Sequence, residues 1–173
     1  MTNELIDIVM PIEEGRFIPH EVIEGISQQG YRIRLWVSTK YSNGDYASAR
    51  NNIKRYGSSP KVLMLDNDII LPPDSVKRMC QFLDAHPKYA AIAISKHNKP
   101  EGNDREVINY DHVDMSCVLF RREVLEQLIF SQGAGTCECL QCCKDIRNME
   151  MEIGFLIGLQ VYHVSGTRMP VSH

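Results

Sequence analysis

The segment Asp66-Asn67-Asp68 has the clearest chemical potential of any segment in this sequence. Two carboxylates one residue apart repel each other unless a cation offsets their charge. Mg²⁺ and Mn²⁺ prefer carboxylate oxygens and keep coordination positions for phosphate or water. The alternative is a polar turn in which the same side chains cap the backbone. The residues on either side of the triplet decide between these two interpretations.

The flanking elements favour a ligand site. Residues 62–65 form a continuous apolar run bounded by turn signals, which is typical of a strand buried on both faces of a largely parallel sheet. After Pro72-Pro73, apolar residues recur on one face of an amphipathic helix, at Val76, Met79, Cys80 and Leu83. In such sheets ligands bind beyond the carboxyl ends of the strands, where this triplet is expected to lie.

Strands and helices alternate along the rest of the chain. The patterns predict strands at 6–12, 31–37, 90–95, 115–120 and 159–164, helices at 19–30, 47–56, 124–129 and 146–153, and a long polar excursion at 96–111. Gly154 is expected to end the last helix. The alternation predicts an α/β sandwich with a largely parallel sheet. A chain of 173 residues suits one compact domain, predicted to span residues 1–173.

Composition excludes several classes of function. The formal net charge of -3 gives no electrostatic reason to expect nucleic acid or an anionic membrane as a partner. No apolar run approaches the ~20 residues that cross a bilayer, and the amino terminus lacks a basic-then-apolar signal pattern. These features predict a protein without a transmembrane segment, located in the cytoplasm.

The cysteines are unevenly spaced. Four of the six lie between Cys137 and Cys143, which is not the spaced framework of a secreted disulfide protein and favours a reducing compartment. Cys139 and Cys142 have the Cys-x-x-Cys spacing of a zinc knuckle, but Cys142 and Cys143 would not share one tetrahedral ion comfortably, and there is no second knuckle. An exposed loop of ordinary thiols is therefore expected, and His112 is interpreted as an ordinary polar residue.

Four segments, in the correct order between residues 47 and 164, resemble GT-A glycosyltransferases of the family-2-like type. They are Ala49-Arg50-Asn51, residues 61–76 with the Asp-x-Asp motif, residues 113–125, and residues 145–155 followed by Val161-Tyr-His163. Each piece is weak alone, but the ordered set is specific. The resemblance implies a GT-A three-layer sandwich that transfers a sugar from a nucleotide-diphosphate sugar donor to an acceptor hydroxyl, on a sugar, lipid or protein, with Mn²⁺ or Mg²⁺.

The resemblance also implies roles for the matching residues. Asp66, Asp68 and His163 would converge on one metal, with Asp68 and His163 as direct ligands and Asp66 reaching the metal through water or contacting the nucleotide ribose. The residues expected near the donor nucleotide are Arg50, Asn51, Asn67, Pro11 and Glu13. For His163 the alternative is an ordinary satisfied polar residue near the end of a strand.

The general base is less well defined. Inverting transfer needs a group that takes the proton of the acceptor hydroxyl, and the resemblance places it at the start of the closing helix. Asp145 is the nearest equivalent, but Cys142-Cys143-Lys144 stands where relatives carry a further acid. Asp145 could instead be only the N-cap of that helix. Asp114 and Glu138 are the alternatives for the base.

Two other functions compete with sugar transfer. One is a GT-A module that binds a nucleotide and has weak or no catalytic activity. The other is a haloacid dehalogenase-type phosphohydrolase, which also uses Asp-x-Asp with Mg²⁺. That family places the motif on its first strand, with Thr or Val where this chain has Ile70.

Overall fold

The computed structural model describes residues 4–41, 45–95, 107–132 and 137–164. The strands are β1 Leu5–Glu13, β2 Arg32–Tyr41, β3 Lys61–Leu65, β4 Ile69–Ile70, β5 Tyr89–Ser95, β6 Val107–Asn109, β7 Cys117–Arg121, β8 Glu152–Gln160 and β9 Tyr162–His163. The helices are α1 His20–Ser27, α2 Tyr46–Ile53, α3 Ser75–Ala85, α4 Arg122–Leu125 and α5 Glu138–Asn148. Within the described residues, no helix has the length and apolar character needed to cross a membrane.

Seven strands form the central sheet in the order β2-β1-β3-β7-β5-β8-β6. β1 pairs in parallel with both β2 and β3, and β5 pairs in parallel with β8. β7 runs antiparallel between β3 and β5, and β6 runs antiparallel to β8. All strands of the central sheet except β7 and β6 therefore point the same way, which confirms the predicted mostly parallel α/β sandwich.

The helices cover both faces of this sheet and give it three layers. β3 is buried along its whole length, so successive side chains enter different cores. Leu63 and Leu65 belong to a core that contains residues of α1 and α3. Val62 and Met64 belong to a second core that contains residues of α2, α4 and α5. This arrangement leaves the carboxyl end of β3 as the place where polar residues can gather.

A buried carboxylate, Asp7, fastens the other end of the sheet. It accepts hydrogen bonds from Arg34 Nε at 2.7 Å, Arg122 Nη2 at 2.8 Å, Trp36 Nε1 at 3.0 Å, and the backbone N–H groups of Ser58 at 2.8 Å and Ser59 at 2.7 Å. Burial alone would raise the pKa of Asp7, but the hydrogen bonds from Arg34, Ser59 and Trp36 outweigh it and lower the pKa to about 2. The carboxylate therefore stays ionised and ties β1 to β2 and to the start of α4.

We expect Asp7→Asn to lower the free energy of unfolding by about 3 kcal/mol at neutral pH, because Arg34 and Arg122 lose their buried anion. The pKa of Asp7 is lowered by folding. Its stabilisation is therefore present above the unfolded pKa of about 4, and is lost as the pH falls towards 2. Urea unfolding of both proteins across this range checks the prediction, with the exposed Glu21→Gln as control. A difference in stability that stays constant as the pH falls would contradict it.

The carboxyl-terminal third differs from the sequence prediction. The cysteine-rich segment is helix α5, and Cys142 and Cys143 are fully buried, so the expected exposed loop is wrong. The segment forms a helix because an apolar stripe recurs at i, i+3, i+4 and i+7, at Cys139, Cys142, Cys143 and Ile146. The helix ends at Asn148, where Glu150 takes a left-handed φ of 59°. It therefore begins and ends earlier than predicted.

Gly154 lies inside β8 and does not end a helix. A Cβ at this position would lie 2.7 Å from the carbonyl oxygen of Ile108, so glycine is what allows β6 to pair so closely with β8. β6 falls within the predicted polar excursion, of which residues 96–106 lie outside the described residues. The predicted last strand at 159–164 is divided between the end of β8 and β9.

Candidate active site

Asp66, Asn67 and Asp68 form the turn that joins β3 to β4. The Asp66 backbone N–H donates to the Ser116 carbonyl at 2.9 Å, and the Ile69 N–H donates to the Asp66 carbonyl at 3.3 Å. The buried Asn67 side chain donates from Nδ2 to the Phe17 carbonyl at 2.7 Å. Backbone groups and Asn67 thus hold the turn, while the side chains of Asp66 and Asp68 stay partly exposed.

The last described strand brings His163 to Asp68. β9 pairs antiparallel with β4, which places His163 opposite Ile69. The Val164 N–H donates to the Asp68 carbonyl at 2.8 Å. His163 Nε2 then lies 3.1 Å from Asp68 Oδ2, and Arg16 Nη1 lies 3.9 Å from the same oxygen. The structure therefore joins two of the predicted metal ligands, and the half-exposed imidazole remains open to solvent.

Arg50 of α2 is the buried cation of the site. Its Nη2 lies 3.1 Å from Asp66 Oδ1, and its Nε lies 3.4 Å from Glu138 Oε1. Burial would lower the pKa of Arg50, but the charges of Asp66 and Glu138 outweigh it and raise the pKa. Among the described residues, its buried Nη1 has no hydrogen-bond partner. A charged donor is therefore left for an anionic group.

These residues line a cleft of about 390 Å³. Four carboxylates reach it, from Asp66, Asp68, Asp114 and Glu138. Asp114 accepts hydrogen bonds from the Ser116 N–H, at 3.2 Å, and from the Ser116 hydroxyl. Burial raises the pKa of Asp66, with Asp68 and Asp114 adding to the rise and Arg50 opposing it. This concentration of negative charge, open on one side, suits a cation bound together with an anionic ligand.

Asp68 and His163 fit the requirements of a divalent metal better than the full predicted triad does. They offer one oxygen and one nitrogen ligand side by side, and Mn²⁺ and Mg²⁺ leave other positions for phosphate and water. The Asp66 carboxylate turns towards Arg50 instead. In the part of the chain that the structure describes, Asp66, Asp68 and His163 are not a group of three ligands within 4.8 Å of one another. Convergence of all three residues on one metal stays a prediction.

Three predicted residues lie outside the lining of the cleft. Glu13 pairs with Arg16 at 2.8 Å, and Arg16 reaches the cleft in its place. Asn51 uses both ends of its amide on the Phe130 backbone, donating to the carbonyl at 2.6 Å and accepting from the N–H at 3.0 Å. The remaining predicted donor-binding residues, Pro11, Arg50, Asp66 and Asn67, do line the cleft.

Asp145 is the third residue outside the lining. It lies near the end of α5, where it accepts a hydrogen bond from Gln141 Nε2 at 2.8 Å. The N-cap alternative for Asp145 is wrong, because Cys137 occupies that position. The start of the closing helix is Glu138, which does line the cleft and was only an alternative from sequence.

Arg16 is a site residue that the sequence analysis missed. It follows Gly15, whose φ of 78° turns the chain back after β1. The Arg16 N–H donates to the Glu13 carbonyl at 3.0 Å, which closes this turn and directs the guanidinium to the cleft. The signal in the sequence that could have identified Arg16 is its position directly after the Glu-Glu-Gly that ends the first predicted strand.

Comparison with known proteins decides the family. Residues 19–132, more than half of the chain, match the family model described as Glycosyl transferase family 2. The chain belongs to glycosyl transferase family 2. The phosphohydrolase interpretation of the Asp-x-Asp motif is therefore wrong. No curated protein matches the sequence.

Solved structures share the fold at low sequence identity. The mannosyltransferase PcManGT from Pyrobaculum calidifontis, in complex with GDP-Man and Mn²⁺, matches with a TM-score of 0.74 and 15% identity, over 96% of this chain and 59% of that one. TarS from S. aureus in complex with UDP-GlcNAc matches with a TM-score of 0.68 and 13% identity, over 97% of this chain and 61% of that one. The protein A197 from STIV matches with a TM-score of 0.59 and 13% identity, over 95% of this chain and 87% of that one. These likenesses confirm the predicted GT-A fold.

We expect Asn51→Ala to lower the free energy of unfolding by about 2 kcal/mol, because the Phe130 N–H and carbonyl lose their partners. Affinity for a nucleoside diphosphate should stay within about twofold of wild type, since Asn51 does not line the cleft. Urea unfolding and calorimetry measure the two effects, with the exposed neighbour Asn52→Ala as control. Unchanged stability together with lost nucleotide binding would assign Asn51 to the donor site instead.

Proposed function

We propose that this chain is a metal-dependent glycosyltransferase, which moves a sugar from a nucleotide-diphosphate sugar to an acceptor hydroxyl. The observation that carries the proposal is the 3.1 Å approach of His163 Nε2 to Asp68 Oδ2 at a cleft that also contains the buried Arg50. Residues 1–173 would act as one GT-A domain. The crowding of four of the six cysteines between Cys137 and Cys143, unlike the spaced framework of a secreted disulfide protein, fits a reducing, cytoplasmic location.

Asp68 and His163 would hold Mn²⁺ or Mg²⁺. A divalent cation there neutralises a diphosphate and stabilises the charge that develops on it as the sugar–oxygen bond breaks. Support comes from the PcManGT structure, which was solved with GDP-Man and Mn²⁺. The chain spans about 60% of the length of PcManGT and of residues 1–349 of TarS, so the sugar and acceptor are not carried over from them.

Other residues of the cleft would bind the donor. Arg50 has a buried guanidinium nitrogen, Nη1, without a partner among the described residues, and this atom can donate to a phosphate or ribose oxygen. Asp66, held by Arg50, would accept from the ribose hydroxyls or reach the metal through water. Pro11 and Asn67 line the cleft and would pack against the nucleotide base.

Glu138 is the general base in this proposal. It lies in the first turn of α5, the element from which the resemblance expects the base, and Arg50 fixes one of its carboxylate oxygens. The carboxylate would take the proton of the acceptor hydroxyl as that oxygen attacks the anomeric carbon from the face opposite the diphosphate. Attack from that face inverts the anomeric configuration. Asp114, in the same cleft, is the alternative base.

We expect UDP, GDP, CDP or dTDP to bind in a Mn²⁺-dependent manner, and Asp68→Ala to weaken the binding by about 100-fold because a direct ligand is lost. His163→Ala should weaken it by about tenfold, because water can replace an exposed ligand. Isothermal calorimetry with and without Mn²⁺ measures both. The control is Asp145→Asn, which leaves the cleft unchanged. Equal affinity in Asp68→Ala and wild type would remove the metal site from these residues.

We expect Glu138→Gln to lower kcat for sugar transfer by about 10² to 10⁴, with little change in donor affinity, because glutamine keeps the size and the acceptor oxygen but takes no proton. Asp114→Asn is the matched comparison. A loss confined to Asp114→Asn would transfer the role of base to that residue. Nucleotide binding without transfer by the wild-type protein to any acceptor would support the inactive binding module instead.

A further inference from the structure

A second set of metal-ligand side chains lies at the amino end of α5. His112 Nε2 is 3.1 Å from Cys137 Sγ, and Cys139 completes a group whose three ligand atoms lie within 4.8 Å of one another. His112 is exposed, and both cysteines are partly buried. The sequence analysis assigned no role to His112 and considered Cys139 together with Cys142, whose side chain lies in the core.

Contacts that involve no metal hold this geometry in place. The segment before β7 lies along α5. Arg147 Nη2 donates to the Tyr110 carbonyl at 2.7 Å, and the Val113 N–H donates to Cys143 Sγ at 3.4 Å. His112 lies between these two attachment points. The imidazole is therefore presented to the first turn of the helix before any ion binds.

The donor set matches one class of cation. Two thiolates and an imidazole are soft to borderline ligands, which select Zn²⁺ and do not suit Mn²⁺ or Mg²⁺. Tetrahedral coordination with standard zinc bond lengths separates a sulfur from a nitrogen ligand by about 3.5 Å. The observed separation of 3.1 Å between His112 and Cys137 is close to this value. Small side-chain rotations would suffice to admit the ion.

We propose that His112, Cys137 and Cys139 bind one Zn²⁺, with water in the fourth position. The ion joins the segment that carries Asp114 to the helix turn that carries Glu138, so it clamps one wall of the cleft. It stabilises the protein whether or not sugar transfer occurs.

Zinc binding at this set depends on thiol ionisation. Burial raises the pKa of the Cys139 thiol, and the adjacent Glu138 raises it further. The free thiol is therefore protonated at neutral pH, and the ion must displace that proton. The location at a helix amino terminus favours the thiolates once they form.

The test uses the full chain, reduced with a phosphine and stripped of metal by a chelator. Titration with Zn²⁺ against a chromogenic competitor should give one tight site. Co²⁺ should give the absorption bands of a tetrahedral ion together with thiolate-to-cobalt charge transfer. We expect Cys137→Ser, Cys139→Ser and His112→Ala each to weaken Zn²⁺ binding by about 100-fold or more and to abolish the increase in Tm that Zn²⁺ gives the wild type.

Three control variants separate this site from others. Cys80→Ala removes a thiol in the opposite core, His20→Ala removes an exposed imidazole, and Asp68→Ala removes the proposed manganese ligand. All three should keep the charge-transfer band, and circular dichroism confirms that each variant is folded. Absence of that band in the reduced wild type, or its persistence in Cys139→Ser, would overturn the proposal. A Cys137–Cys139 disulfide that resists the phosphine would also overturn it.

Discussion

Four carboxylates share one cleft, and their mutual repulsion is the constraint that the other groups of the site must offset. Asp66 and Glu138 share one buried guanidinium, that of Arg50, which contacts both. Among the described residues, Asp68 lies 3.9 Å from Arg16 and 3.1 Å from the His163 imidazole. Two carboxylates therefore share one cation, and Asp68 and Asp114 add further negative charge to the cleft, which a divalent cation held at Asp68 would offset.

Sequence alone predicted those parts of the site that depend on local patterns. The apolar run at 62–65, bounded by turn signals, predicted a covered strand, which placed Asp66 and Asp68 at its carboxyl end. The approach of His163 to Asp68 was expected only from the resemblance to a family. Its physical cause, the pairing of β4 with β9, involves two strands of two residues each, which are too short to leave a periodic signal.

The parts that the sequence did not predict are those set by tertiary contact. Spacing at Ile146, Met149 and Ile153 suggested one helix, but the left-handed Glu150 ends it and β8 begins at Glu152. That error displaced the expected start of the helix from Glu138 to Asp145. The contact between His112 and Cys137 joins a loop to a helix cap, and no periodicity relates such positions.

We propose that Asp68 and His163 bind the same catalytic metal. Anomalous diffraction at the manganese edge, from crystals grown with Mn²⁺ and the nucleoside diphosphate that binds, locates the ion directly. We expect one strong peak about 2.2 Å from both Asp68 Oδ2 and His163 Nε2, beside the diphosphate. A diphosphate bound in the cleft with no peak at this pair, or with the ion on other residues, would contradict it.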